Sequence, residues 1–418
     1  DPFYLAHSRF LHHDALVTSF MTLALLSFMV CTEEGMSRPY LIFSGSMAGL
    51  AFLSKSPSLF LVPFVGLVVS LGYLSQAKGL SKEKWGIGLH WIAALVVWVL
   101  IASFVFVILW PAMWVDPAGA INRIVTKIEE SGPASPDTLE HAFLEGKVTP
   151  ALFYPAVFLF RITPLTLVGL MAAVYSCTEK WPERKNKVLI LLLVYSLGFT
   201  LLLTSGGKKS GRYSLPAFPV LDVVAAVGLL RAIKSARQKK RWPFTVPCVL
   251  ALVLQAGFSL PHHPYYLTYY NPLFGGGWSA VKVLRVSEGE GLDQVVRYLN
   301  RKENAERLTV STGWDDALAP FFRGQTCRLY GSTDQNVLLW STADYVVLDI
   351  NHIQTHLHDE PLVGYLLSLE PEYVVNLKGI DTIGFTRFQR TFPLIWCLPS
   401  TSSELNFQMK AFSFWAMM

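Results

Sequence analysis

Apolar runs near membrane-spanning length recur along the first two thirds of the chain, at roughly 15–31, 40–53, 58–74, 88–110, 150–176, 188–204, 214–230 and 244–260. A span needs about 20 predominantly apolar residues, with a range near 17–25. The pattern predicts about eight spans. The run 40–53 is short and Gly-rich (Gly45, Gly49) and ends at Lys55-Ser56-Pro57, so it is expected to pair with the next run as a tight hairpin. Past about residue 288 the period changes. Gly291–Arg301 is helical, with Leu292, Val295, Val296 and Leu299 on one face. Strand-like runs follow at Arg307–Ser311, Cys327–Tyr330, Tyr345–Ile350 and Tyr373–Leu377, separated by helical candidates at Asp315–Phe322, Asp334–Ser341 and Pro361–Leu369. That alternation predicts a small α/β domain with a largely parallel sheet. From about Thr391 the pattern dissolves into a nearly uncharged stretch with only Glu404 and Lys410, to which no element is assigned.

Composition agrees with this division. The 418 residues are 52% hydrophobic and 16% charged, with a mean hydropathy of +0.38, whereas soluble chains carry about 25% charged residues. Residues 1–278 sum to +9 and residues 279–418 to −4. The expected architecture is a polytopic α-helical membrane protein with a small C-terminal extracytoplasmic α/β domain. The membrane region covers 1–278 and the outer domain 279–418. Gly275-Gly276-Gly277 reads as the linker, and there is no GxGxxG or P-loop. The net charge of +5 and the lack of a basic stripe on a soluble fold disfavour nucleic acid as a partner, and none is expected. The five cysteines are scattered and form no CxxC, so they indicate neither a zinc site nor a disulfide framework. The opening Asp1-Pro2-Phe3-Tyr4 reads as the interior of a longer chain, and a fragment lacking upstream spans is the expectation.

Lys/Arg asymmetry orients the spans. The alternate loops 32–39, 75–87, 178–187 and 231–243 hold one, three, four and six bases and read as cytoplasmic. The other set faces outward: the N-terminal stretch, Lys55, 111–149, 205–213 and the segment from Pro261. One outer loop breaks the rule. Ser205-Gly206-Gly207-Lys208-Lys209-Ser210-Gly211-Arg212-Tyr213 has three bases and no acid. Snorkelling at a helix end is the plain explanation. An anion site is the functional one, with glycines admitting the backbone and cations neutralising a phosphate. Of the seven histidines in residues 1–278, only His90 lies off the outer side; His7, His12, His13, His141, His262 and His263 lie on it.

The stretch Ala6-His7-Ser8-Arg9-Phe10-Leu11-His12-His13-Asp14-Ala15-Leu16 places a carboxylate, an Arg and three His at the start of a span. It reads either as a polar cap on the helix or as a site in which Asp14 faces a cavity and Arg9 pairs with it or with a phosphate. This stretch resembles the outer loop of bacterial GT-C glycosyltransferases of the protein O-mannosyltransferase and aminoarabinose-transferase branch. Further matches follow in the same order. They are Gly49 to Pro57 (GLAFLSKSP), Trp110-Pro111-Ala112-Met113-Trp114, Phe153-Tyr154-Pro155 through Arg161-Ile162-Thr163-Pro164, and Lys208-Lys209 with Arg212 to Pro219 (RYSLPAFP). His263-Pro264-Tyr265-Tyr266 and Tyr269-Tyr270-Asn271-Pro272 complete the set. The resemblance covers about residues 1–300.

The resemblance implies a polyprenyl- or dolichyl-phosphate sugar donor, transfer on the outer face of the plasma (inner) membrane, and inversion at the anomeric carbon. It implies a general base in a first outer loop that would lie before residue 1, so that the present chain is inactive alone and Asp14 is a second, supporting carboxylate. Lys208, Lys209 and Arg212 are then the candidates for the donor phosphate, with Arg161 and Lys55 behind them. Arg9, His12, His13, Tyr154 and Tyr213 are candidates for substrate contact. The acceptor is a protein, lipid or glycan. Some members bind a divalent metal ion through a Glu and a His, which makes His141 a candidate ligand. His352, His356 and His358 have no zinc spacing and read as a solvated loop. Tyr265, Tyr266, Tyr269 and Tyr270 read as an interfacial belt, with sugar stacking as the alternative. A secondary transporter or lipid-linked sugar flippase is the competing class. It should show an internal repeat and ionisable groups at mid-membrane. No repeat is visible, and Asp222 is the one acid well inside a run.

Overall fold

The structure, a computed structural model, describes residues 1–10, 12–77, 84–130, 150–178, 183–206, 209–237, 243–329, 343–356 and 366–387. The chain divides into two compact units, Asp1–Leu284 and Arg285–Met418.

The first unit is all helical. Its main helices are α1 (Pro2–His7), α2 (His13–Glu33), α3 (Arg38–Ser54), α4 (Leu61–Ala77), α5 (Lys84–Leu109), α6 (Pro117–Glu130), α7 (Phe153–Arg161), α8 (Pro164–Thr178), α9 (Glu183–Ser205), α10 (Phe218–Arg237) and α11 (Thr245–Ser259). Among the described residues, six helices are long and apolar enough to cross a membrane, and seven if the bent pair α7–α8 counts as one. The chain is a multi-pass membrane protein. The apolar run 150–176, expected as one span, turns by 112° between α7 and α8. The cause is local. Pro164 disfavours a helical Thr163, and the Thr163 hydroxyl accepts the Thr166 N–H at 3.1 Å, which starts a new helix with proline in its first turn. The short run 40–53 becomes α3, 17 residues long, at the lower edge of spanning length.

The expected hairpin of α3 with the next run does not form. Lys55 is extended, at φ −166° and ψ 140°, and a 3-10 turn, Ser56–Phe60, separates α3 from α4. Instead α3 packs against α2 and α5. Small residues permit this. A Cβ on Gly49 would lie 2.6 Å from the Ala102 carbonyl oxygen. A buried polar link crosses all three helices: Trp98 Nε1 donates to Ser44 Oγ at 2.9 Å, and that hydroxyl donates to the Ala24 carbonyl at 2.7 Å. Without water, such a link is the way these donors are satisfied.

The α8–α10 contact is closer still. A Cβ on Gly228 would lie 2.1 Å from the Gly169 carbonyl oxygen and 2.5 Å from the Ala173 nitrogen. This is small-residue helix packing. In the second unit, α12 (Leu292–Leu299) precedes a five-stranded sheet of β1 (Thr309–Thr312), β2 (Gln325–Arg328), β3 (Tyr345–Asp349), β4 (Tyr373–Leu377) and β5 (Ile380–Arg387), in the order β2-β1-β3-β5-β4. A short helix, α13 (Ile350–His356), follows β3. The pairs β1–β2 and β1–β3 are parallel, but β3–β5 and β4–β5 are antiparallel. The sheet is therefore mixed rather than largely parallel. The difference is β5, which the apolar pattern misses because Asp381, Thr382 and Gly384 interrupt it. The turn into it has Lys378 and Gly379 both at positive φ, 55° and 83°, the geometry of a two-residue hairpin. The helical candidate Asp334–Ser341 and the first half of Pro361–Leu369 lie outside the described residues.

Two glycine substitutions test the packing. Gly228→Ala should lower the thermal unfolding midpoint in detergent despite its better helix propensity, since backbone atoms cannot yield to the new methyl. A Cβ on Gly257, in α11, would meet nothing within 4 Å, so Gly257→Ala should be neutral or stabilise by up to about 1 kcal/mol. Equal midpoints for the two variants would contradict the close α8–α10 contact.

Candidate functional site

Three separate segments bring their charges to one carboxylate. Asp14, in the first turn of α2, is 3% exposed. Lys55, at the break after α3, donates to its Oδ1. Arg212, in the 3-10 turn Gly211–Ala217 before α10, places Nε 3.8 Å from Oδ2. His12, the residue capping α2, places Nδ1 2.7 Å from Oδ2 and 3.3 Å from the Asp14 nitrogen. The Nδ1–H tautomer would donate to the carboxylate, and the other would accept from the backbone. Burial lowers the His12 pKa, and Arg212 and Lys55 oppose the upward pull of Asp14. His12 is thus neutral near pH 7. Tyr213 lies beneath both cations, its ring centre 4.5 Å from Lys55 Nζ and 5.9 Å from the Arg212 guanidinium.

The charge is not balanced. Lys55 and Arg212 face a single carboxylate, and Arg212 Nε is buried with no hydrogen-bond partner. An anion with several acceptor oxygens is the group that such a donor lacks. Arg161, at the end of α7, adds a third cation, this one buried and without a carboxylate. Its Nη1 donates to the Leu267 and Tyr269 carbonyls at 2.6 and 2.9 Å, and its Nη2 to the Tyr270 hydroxyl at 2.9 Å. Its guanidinium also lies 4.0 Å from the Tyr270 ring centre and 4.9 Å from that of Phe3. Arg161 therefore clamps the 267–270 segment to α7 and supplies positive potential.

The other sequence candidates are placed as follows. Arg9 donates to the Pro264 carbonyl at 2.8 Å and lies 5.5 Å from the Tyr266 ring centre, so it tethers the same segment from the other side. Lys209 turns its ammonium onto the Leu203, Thr204 and Gly206 carbonyls at the end of α9. All three of its donors then serve a helix terminus. Burial lowers its pKa. The Tyr154 ring is buried 5.6 Å from that ammonium. His13 is exposed, its ring 5.8 Å from that of His12. Lys208 and His141 lie outside the described residues. No group of three metal-ligating side chains occurs among the described residues.

Two features have a setting that the sequence did not reveal. His7 is 6% exposed and packs edge-on to Phe3, with ring centres 4.7 Å apart. A cavity of about 290 Å³ opens beside α7, lined by Pro155, Phe158, Leu159, Ile162, Leu167, Asn271 and Phe274. The Asn271 amide nitrogen is buried without a partner. The proline-flanked Tyr269-Tyr270-Asn271-Pro272 was the available signal for that wall.

No family model matches the sequence, and no curated protein matches it. The similar solved structures include two of one protein. One is ArnT from Cupriavidus metallidurans bound to undecaprenyl phosphate, 14% identical over 94% of this chain and 78% of that chain, with a TM-score of 0.43. The other is ArnT from the same organism in the apo state, 13% identical over 89% and 74%, with a TM-score of 0.37. At these values the site has to be read from its own residues.

The buried His7 makes the fold pH-dependent. Burial first, then the Arg161 charge, depress its pKa from 6.5 to about 3. The unfolded chain binds that proton more readily, so stability is full above pH 6.5 and is lost as pH falls toward 3. The loss from this group should reach about 2 kcal/mol by pH 5. His7→Gln should show a smaller drop in unfolding midpoint between pH 7 and 5 than the unsubstituted chain. An identical drop would mean that His7 is protonated in the folded state.

Proposed function

We propose that the chain is a GT-C-type membrane glycosyltransferase that takes its sugar from a polyprenyl-phosphate donor on the outer face of the membrane, with inversion at the anomeric carbon. The observation that carries this reading is the Asp14–Lys55–Arg212 cluster, with two cations on one buried carboxylate and an unused buried donor on Arg212. In such a transfer the bond from the anomeric carbon to the phosphate oxygen breaks as the acceptor oxygen attacks from the opposite face. Negative charge builds on the leaving polyprenyl phosphate. Fixed cations in a water-poor pocket stabilise that charge strongly because they need no reorganisation. Lys55 and Arg212 are placed for this role. Asp14, paired to Lys55, holds both cations in position. The acceptor's proton goes to a carboxylate outside this cluster, since Asp14 already accepts from Lys55. The apolar cavity beside α7 fits isoprene units, and the outer-side histidines with the basic loop 205–213 fit chemistry at the surface.

A second reading, transport of a lipid-linked sugar, has one observation in its favour. Within the helical unit, Thr166 Oγ1 donates to Asp222 at 3.2 Å, Thr166 and Thr163 hydroxyls are 3.0 Å apart, and Thr163 donates to Gln255 at 2.9 Å. Such polar chains also line ion paths. Release of polyprenyl phosphate from a labelled donor supports transfer; passage of the intact donor across a vesicle supports transport.

Two measurements test the proposal. In nanodiscs, Arg212→Gln should weaken binding of a polyprenyl phosphate by about 10- to 150-fold, the worth of one charge-assisted contact. Unchanged affinity in a folded Arg212→Gln protein rejects the phosphate site. For orientation, in a background with the five native cysteines replaced, an impermeant thiol reagent added outside should label Trp114→Cys and miss Glu34→Cys. The reverse pattern would put the cluster on the cytoplasmic face.

A further inference from the structure

One helix of the first unit has an apolar side that the chain leaves uncovered. The span α5 stops at Leu109, and α6 (Pro117–Glu130) begins after a break. Specific bonds build that break. Ala112–Val115 makes a single helical turn, and the Trp114 indole folds back to donate to the Val107 carbonyl at 2.7 Å. Asp116 then starts the new helix. Its Oδ1 accepts the Gly119 N–H at 2.9 Å, and Pro117 takes the first helical position.

The sequence sorts α6 into two stripes. At about 100° per residue, Ala118, Ile121 and Val125 share one side, and Asn122, Arg123, Thr126 and Lys127 share the other. All seven are exposed, Ile121 by 50% and Val125 by 46%. Between Pro117 and Lys127 only Ala120 is buried. A helix of 14 residues is marginal by itself in water, so its apolar stripe needs cover that the described residues do not supply.

The neighbouring span identifies that cover. Val96, Leu100, Phe104 and Val107 lie on one face of α5, and all are exposed; in a membrane protein this face meets lipid. Trp114 lies at the end of the same face, since the carbonyl it binds belongs to Val107. Indoles collect at the membrane–water boundary, where the ring is in an apolar setting and the N–H in a polar one. Thus α6 starts at the level where α5 leaves the hydrocarbon. Its two stripes match a helix lying in the membrane plane, with Arg123 and Lys127 on the polar side suited to lipid phosphates. A second copy or a soluble protein would cover Ile121 and Val125 but would give no reason for Trp114 to end a lipid-facing stripe. Two spans, Ser56–Ala77 and Gly86–Leu109, carry the chain across and back, so α6 is on the side of the membrane that bears Lys55 and the Asp14 cluster.

We propose that α6 is an interfacial anchor that lies in the headgroup region of the bilayer. Ile121 and Val125 enter the acyl boundary, Arg123 and Lys127 stay among the headgroups, and Trp114 fixes the depth. The anchor depends on the spans alone and not on the donor or the reaction.

The test is quenching of a fluorophore by nitroxide lipids, on the full chain in phosphatidylcholine nanodiscs with the five native cysteines replaced. Labels at Ile121→Cys and Val125→Cys should lose most of their emission to a lipid with its nitroxide near the headgroup, and less to one with the nitroxide at the chain end. Such a helix lies only about 5–10 Å into the boundary. Labels at Asn122→Cys and Thr126→Cys should lose little to either. Equal quenching of the two stripes, or none of either, overturns the proposal. Stronger quenching by the deep nitroxide also overturns it, because α6 would then be inserted rather than lying at the surface. If the cysteine-free chain does not fold, a benzophenone side chain at position 125 of the otherwise native chain decides the matter. It should crosslink to phosphatidylcholine, and capture of protein without lipid would refute the anchor.

Discussion

A carboxylate removed from water has to be compensated where it lies, and Asp14 is compensated by cations from two other parts of the chain. This requirement fixes the beginning of α2 against the end of α3 and against the turn before α10. Breaking such a pair costs about 3–5 kcal/mol because the remaining charge stays buried. Several local features serve the constraint. The extended Lys55 ends α3 so that its side chain can reach Asp14. The 3-10 turn holding Arg212 and Tyr213 brings a guanidinium and a ring to the same place. Arg161 repeats the principle without a carboxylate, its charge met by carbonyl dipoles and two aromatic faces.

The sequence made some of this legible and hid the rest for identifiable reasons. Long apolar runs identify membrane helices because the bilayer demands uniform apolarity, and no tertiary information is needed. The bend at Thr163-Pro164 was written in a helix-start signature, but it was obscured by the apolar residues on either side. The strand β5 was hidden because pairing with β3 and β4, rather than its own composition, makes it a strand. Lys209 and Arg212 stand three residues apart in one basic loop and look alike in the sequence. Where α9 ends sets their surroundings apart. Lys209 falls within reach of its terminal carbonyls and Arg212 does not. Arg161 likewise read as a phosphate ligand, because nothing local reveals that 267–270 will lie across it.

The Asp14 cluster is defined as much by what it lacks as by what it holds. Around Asp14 the cations outnumber the carboxylate, and a donor, Arg212 Nε, and an acceptor, Asp14 Oδ2, are both left without a hydrogen-bond partner. Buried polar atoms without partners are few in native proteins, because each costs about 1–3 kcal/mol. In the Asp14 cluster that cost falls on Arg212 Nε and Asp14 Oδ2, which lie 3.8 Å apart, too far for a mutual hydrogen bond.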